Sequence, residues 1–200
     1  MNSTKIQVES LRPAVERPSA WSKPRVLCSL ECDGRGGEVE IATIFLTGAE
    51  CPFRCTMCDL WQYTSLGSTP VGAIPFQLSQ VLPSKDSNGF GVQRKWLKLY
   101  NASNFFDERS VPQQDLGAIA EYCSSFERVI VENHPRFCDD RMQWFAEAIG
   151  GQLEVAMGLE TIHPGAMAAM NKGMTLDDFE KAVKHCHRLG IDVRVFVLLA

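Results

Sequence analysis

Two hundred residues predict one domain with a substantial core, and a hydrophobic share of 45% is ordinary for a globular chain. No apolar run approaches the ~20 residues that span a bilayer, so a membrane protein is not expected. A net charge of −4 gives no overall attraction to nucleic acid and leaves only a local basic groove for such a partner.

Residues Met1 to Pro24 are polar, carry Pro13, Pro18 and Pro24 and show no sustained period, so they read as a loosely packed arm. The arm is placed at residues 1–37, partly disordered, with the core at 38–200. Within it, Cys28-Ser-Leu-Glu-Cys32 has no third ligand nearby and is read as packing or incidental thiols. Gly34, Gly36 and Gly37 then turn the chain into a first strand, Val39 to Leu46, rich in β-branched residues.

Directly after it comes Cys51-Pro-Phe-Arg-Cys55-Thr-Met-Cys58, three thiols within eight residues. Thiolates at this spacing can hold one face of a cubic iron–sulfur cluster. No fourth cysteine follows before Cys123, so one iron keeps an open position, which is where chemistry happens. Three other readings compete. A structural zinc site pairs two Cys-x-x-Cys hooks, and one is present. A disulfide pair suits a secreted protein, yet no leader opens the chain. A bacterial ferredoxin wants a fourth thiol before a proline. Eight cysteines without a leader fit a reducing compartment, so the expected location is the cytoplasm.

Downstream, a helix is predicted from Pro75 to Leu82, a polar turn from Ser84 to Gly91 and a second strand from Lys95 to Tyr100. A helix from Gln113 to Ser124 precedes a third strand, Arg128–Glu132. Asp140 is expected to cap a helix from Arg141 to Ile149, which Gly150-Gly151 stops. A fourth strand spans Leu153–Leu159, with Glu160 after it, and a short helix runs from Gly165 to Met170. Thr175 with Asp178 caps a longer helix to Leu189, and a fifth strand covers Ile191–Leu199. Five strand–helix steps predict an α/β fold, a partial TIM barrel of about five parallel βα units. Its last strand lies at the chain end, and the expectation is a fragment or a truncated gene product. In such barrels the active site gathers at the C-terminal strand ends, where the thiols, Asn101 to Ser103, Glu132 and Glu160 all fall.

The three-and-two spacing of the thiols resembles that of radical S-adenosylmethionine (radical SAM) enzymes. The likeness covers roughly residues 39–200, within the branch of the Elongator catalytic subunit and oxygen-independent coproporphyrinogen oxidase. It implies a [4Fe–4S] cluster held by Cys51, Cys55 and Cys58, with the open iron chelating SAM. It also implies one-electron cleavage of SAM to a 5′-deoxyadenosyl radical. Met57 stands where the family packs a residue near adenine. Asn101, Ala102 and Ser103 stand where a glycine-rich turn holds the SAM amine. Glu132 matches an acidic residue near the methionine moiety, Glu160 a ribose contact, and Lys172 a cation for the carboxylate. No side chain has to act as a general base. The stretches Lys98 to Asp107 and Val131 to Arg136 look like the radical SAM subunits of archaeosine synthases. That implies a modified tRNA base as substrate and an electron donor such as flavodoxin or ferredoxin. A partner subunit would cover the open barrel edge.

For Glu132 and Glu160 the plain alternative is a pair with a nearby cation at the rim, and for Lys172 a solvated helix end. His134, His163, His185, His187, Tyr100 and Trp61 read as structural. Two other classes remain open: a non-catalytic cluster- or SAM-binding subunit of a larger complex, and a nucleic-acid module built on Arg94, Lys95 and Lys98.

Overall fold

The computed structural model describes residues 8–82 and 95–199. Six strands build one sheet in the order β1-β2-β3-β4-β5-β6. They are β1 (Arg25–Cys32), β2 (Glu38–Phe45), β3 (Trp96–Tyr100), β4 (Arg128–Glu132), β5 (Gln152–Glu160) and β6 (Asp192–Val197). From β2 to β6 every pairing is parallel, as expected of the five βα units. The predicted turn at Ser84 to Gly91 and Arg94 of the basic run lie outside the described residues.

The strand β1 was not expected. It pairs antiparallel with β2, from Arg25 opposite Phe45 to Cys32 opposite Glu38. The hairpin between them closes on Asp33, whose N–H donates to the Gly37 carbonyl at 2.9 Å. The Asp33 carboxylate accepts the N–H groups of Arg35 and Gly37 at 2.7 and 2.9 Å. Gly34 and Gly36 turn with φ of 77° and 91°, values costly for a side chain. The signal was present, since Val26, Cys28, Leu30 and Cys32 alternate with period two up to this turn. Placing these residues in the loosely packed arm left it unassigned.

Side chains alternate across the sheet. One face carries Ala42, Ile44, Leu97, Leu99, Val129, Val131, Val155 and Met157 into the core. The helices α1 (Ala73–Ser79), α2 (Leu116–Cys123), α3 (Arg141–Ile149) and α5 (Leu176–Arg188) cover that face through Ile74, Leu78, Ile119, Phe145 and Phe179. A shorter helix, α4 (Pro164–Ala169), follows β5. Thr175 and Asp178 form the expected capping box of α5, and Gly150 ends α3 in the left-handed region. Asp140 does not cap α3: it lies in helical geometry, and the Asp139 carboxylate accepts the Arg141 N–H instead, at 3.0 Å.

The opposite face is charged. Arg128 reaches Glu154 at 2.7 Å and Asp192 at 2.6 Å, and Lys98 pairs with Glu31. Arg194 spans from β6 to Glu154 and, at 3.2 Å, to Glu31 on β1. First and last strands therefore meet through side chains, so the sheet curls into a partial barrel with an ion-paired inner face.

Candidate functional site

The segment from β2 to the thiols is pinned before it reaches them. Leu46 N–H donates to the Tyr100 carbonyl at 2.7 Å. Thr47 N–H donates to Gln77 Oε1 at 2.7 Å, and Ala49 N–H to Thr69 Oγ1 at 2.8 Å. Gln77, fully buried, also donates to the carbonyls of Thr47 and Ala20, which ties in the N-terminal segment. Gly48 lies so close to Ser110 that a Cβ would come within 2.6 Å of its Oγ and 2.8 Å of its carbonyl oxygen. Gly48→Ala should therefore cost about 1–3 kcal/mol of unfolding free energy. A denaturant titration with an unchanged midpoint would contradict this.

Residues 12–21, expected in the loose arm, strap this loop. Glu50, one residue before Cys51, takes Arg12 at 2.6 Å and Arg17 at 3.3 Å, and Arg54 lies 3.3 Å away. The guanidiniums of Arg12 and Arg17 sit over the Trp61 ring, 4.6 and 5.3 Å from its centroid. Burial alone would raise the Glu50 carboxyl, but the arginines outweigh it and hold it below the usual range. Trp61 is thus a packing residue, as read from sequence.

The three thiols are each half-buried and feel one another. Burial raises all three, and Cys55 is pushed up to about 11. Lys172 pulls the Cys55 thiol down, while Cys51, Cys58 and Glu160 push it up. Asn104 Nδ2 approaches Cys51 Sγ at 3.3 Å, a contact that the sequence did not signal. Among the described residues no three His, Cys, Asp or Glu side chains converge on a single metal ion. Thiolates that each bind a different iron of a cube need not converge on one point. Met57, between two of the thiols, is 45% exposed.

At the end of β3, Asn101 is fully buried and Ala102 takes φ of 52°, the left-handed geometry that a glycine turn would supply. Asn101 Nδ2 donates to Ser110 Oγ at 3.0 Å, yet Asn101 Oδ1 and Ser103 Oγ are buried with no hydrogen-bond partner. Orphaned acceptors at a strand-end rim are what a ligand ammonium would satisfy. Beside them, Glu132 accepts the N–H groups of Asn101 and Ala102. Burial outweighs these bonds and pushes its carboxyl up to about 7. Burial and the neighbouring Glu132 charge also push the Tyr100 hydroxyl up to about 12.

Glu160, at φ of 66°, ends β5 and binds Lys172 Nζ at 3.2 Å, both side chains largely buried. Gly158 makes room for this pair, since a Cβ there would meet Glu160 Oε1 at 2.3 Å and Lys172 Nζ at 2.8 Å. So Lys172 is not a solvated helix end, and Glu160 has the cation partner that the plain alternative describes. Glu132 has backbone partners and no cation at hydrogen-bond distance among the described residues. His163 Nδ1 accepts the Ala166 N–H and caps α4, a structural role as expected. Lys95 pairs loosely with Glu127 at 3.7 Å, as a solvated edge does.

No family model matches the chain. Archaeosine synthase subunit beta of Methanosarcina acetivorans is 23% identical over 210 residues, covering 100% of this chain and 59% of its own length. Two uncharacterised proteins of Methanocaldococcus jannaschii are 25% and 23% identical, covering 58% and 62% of this chain. The chain spans 32% and 38% of their lengths, so it matches less than two thirds of each of these relatives. The cobalamin-dependent S-adenosylmethionine radical enzyme OxsB superposes with a TM-score of 0.55 at 18% identity, over 78% of this chain and 23% of that one. The fold is of the radical SAM type. In radical SAM terms the thiol loop follows the first parallel strand, and Asn101, Glu132 and Glu160 lie on successive strand ends of the same rim. Among the described residues no helix is long and apolar enough to cross a membrane.

Proposed function

We propose that the chain is a radical SAM enzyme in which Cys51, Cys55 and Cys58 hold a [4Fe–4S] cluster. The observation that carries this reading is three half-buried thiols on a strand-end loop of a radical SAM fold, beside orphaned acceptors and a buried lysine. Cluster and SAM, when bound, would supply one-electron cleavage of a carbon–sulfur bond and a 5′-deoxyadenosyl radical. The protein's part is to orient and to exclude water. Asn101, Ala102 and Ser103 offer acceptors and backbone to an ammonium, with Glu132 behind them as the countercharge. Lys172 takes a carboxylate, which frees Glu160 to accept from ribose hydroxyls, and Met57 can fold over adenine. No residue is assigned a proton-transfer step.

The likeness to an archaeosine synthase subunit supports a modified tRNA base as substrate and a partner subunit. The one-electron chemistry itself calls for a small electron donor such as flavodoxin or ferredoxin. Eight unbridged cysteines suit the reducing cytoplasm. Anaerobic reconstitution with iron and sulfide, followed by SAM and dithionite as the one-electron reductant, should yield 5′-deoxyadenosine, and none above background would overturn the enzyme reading. The Glu160–Lys172 pair favours one second reading, a non-catalytic subunit in which these two side chains only hold each other. Glu160→Ala separates the two. It should weaken SAM binding several-fold, the worth of about 0.5–1.5 kcal/mol in hydrogen bonding, and leave the cluster spectrum intact. Unaltered affinity would favour the second reading.

A further inference from the structure

A segment more than a hundred residues downstream grips the thiol loop. The turn after α4 runs through Met170, Asn171, Lys172 and Gly173. Thr56 N–H donates to the Met170 carbonyl at 3.0 Å. Asn171 Nδ2 donates to the carbonyls of Phe53 at 2.7 Å and Arg54 at 3.2 Å. Gly173, at φ of 70°, lies so close to Phe53 that a Cβ would come within 2.5 Å of its ring. His134 stacks on the same ring, 3.7 Å between centroids at 23°. Its Nδ1 accepts the Arg136 N–H at 3.2 Å, which leaves the proton on Nε2. That Nε2–H donates to the Lys172 carbonyl at 2.9 Å.

Two strained residues make the grip informative. Arg54 inside the thiol loop and Asn171 inside the turn both take left-handed backbone, at φ of 55° and 56°. Such geometry persists where the surroundings over-determine it, and here each strained residue is bonded to the other's segment. We propose that Asn171 and His134 are positioning residues that lock the thiol loop to the Lys172 turn. The three thiols and the Lys172 cation then hold one fixed mutual geometry. The locking stands on these contacts alone; its consequence for SAM rests on the function proposed above.

Hydrogen exchange of the full metal-free chain tests the lock itself. Asn171→Gly keeps the left-handed backbone and removes the amide, while His134→Gln keeps a donor toward the Lys172 carbonyl and removes the stacked ring. Peptides across residues 51–58 should exchange several-fold faster in Asn171→Gly and by a smaller factor in His134→Gln. Unchanged exchange in Asn171→Gly overturns the proposal. In reconstituted protein, Asn171→Gly should keep its iron content while the KM for SAM rises several-fold more than kcat falls. Fast exchange with wild-type SAM kinetics overturns the coupling to Lys172. If the wild-type chain takes up no iron, the functional reading fails, while the exchange result still decides the lock.

Discussion

Cys55→Ala should leave the reconstituted chain without its brown iron–sulfur chromophore, and Cys51→Ala and Cys58→Ala should do the same. In the proposed cluster each half-buried thiol would be one third of the protein's hold on the cube, and removing one would leave a second iron open to solvent and loss. Cys28→Ala and Cys32→Ala should take up iron like the wild type. Those two thiols are exposed on β1, where their strand positions face Ala42 and Glu38 of β2. Cys123→Ala should also keep the chromophore, since Cys123, the last residue of α2, is buried in the core. Iron and acid-labile sulfide assays read the outcome directly. Equal iron loss in Cys28→Ala and Cys55→Ala would move the cluster assignment off the thiol loop.

The features legible in the sequence were those with a short-range signature. The thiol spacing, the alternation of β-branched strands with amphipathic helices and the Thr175–Asp178 box all lie within a few residues of one another. Strand-end placement then brought Glu132 and Asn101 to one rim, because a parallel sheet fixes where each strand stops. What stayed hidden joins distant parts of the chain. Glu50 looks like any rim carboxylate until Arg12 and Arg17 are seen to converge on it from the arm. Asn171 reads as a turn residue, and only folding brings its amide to Phe53. The Glu31–Arg194 pair links positions 163 apart, which no local pattern can encode. Period-two alternation in β1 is present but short, and Leu27 interrupts it, so it does not stand out from the proline-bearing segment before it.

Two groups at the site, the half-buried Glu132 and the buried His134, should pull the stability of the metal-free chain in opposite directions with pH. Burial raises the Glu132 carboxyl from its ordinary 4.5 to about 7, so the folded chain holds a proton that the unfolded chain releases. Stability from this group is full below about pH 4.5 and is lost as pH rises to about 7, by up to about 3 kcal/mol. His134 behaves inversely. Burial holds its imidazole neutral down to about 4 against an ordinary 6.5, so the unfolded chain binds the extra proton. Its contribution is full above about pH 6.5 and is lost toward pH 4, again by up to about 3 kcal/mol. In wild type the two slopes offset each other between about pH 4.5 and 6.5. Glu132→Gln keeps an acceptor for the Asn101 and Ala102 amides but removes its titration, so its stability should climb with pH across that window. His134→Gln should show the reverse, a decline toward pH 7. Denaturant midpoints at half-unit steps of pH read both curves, taken as differences from wild type so that the other carboxylates cancel. Flat difference profiles for both variants would mean that both groups are solvated in the folded chain. The carboxyl behind Asn101 would then carry its charge without help from any ligand.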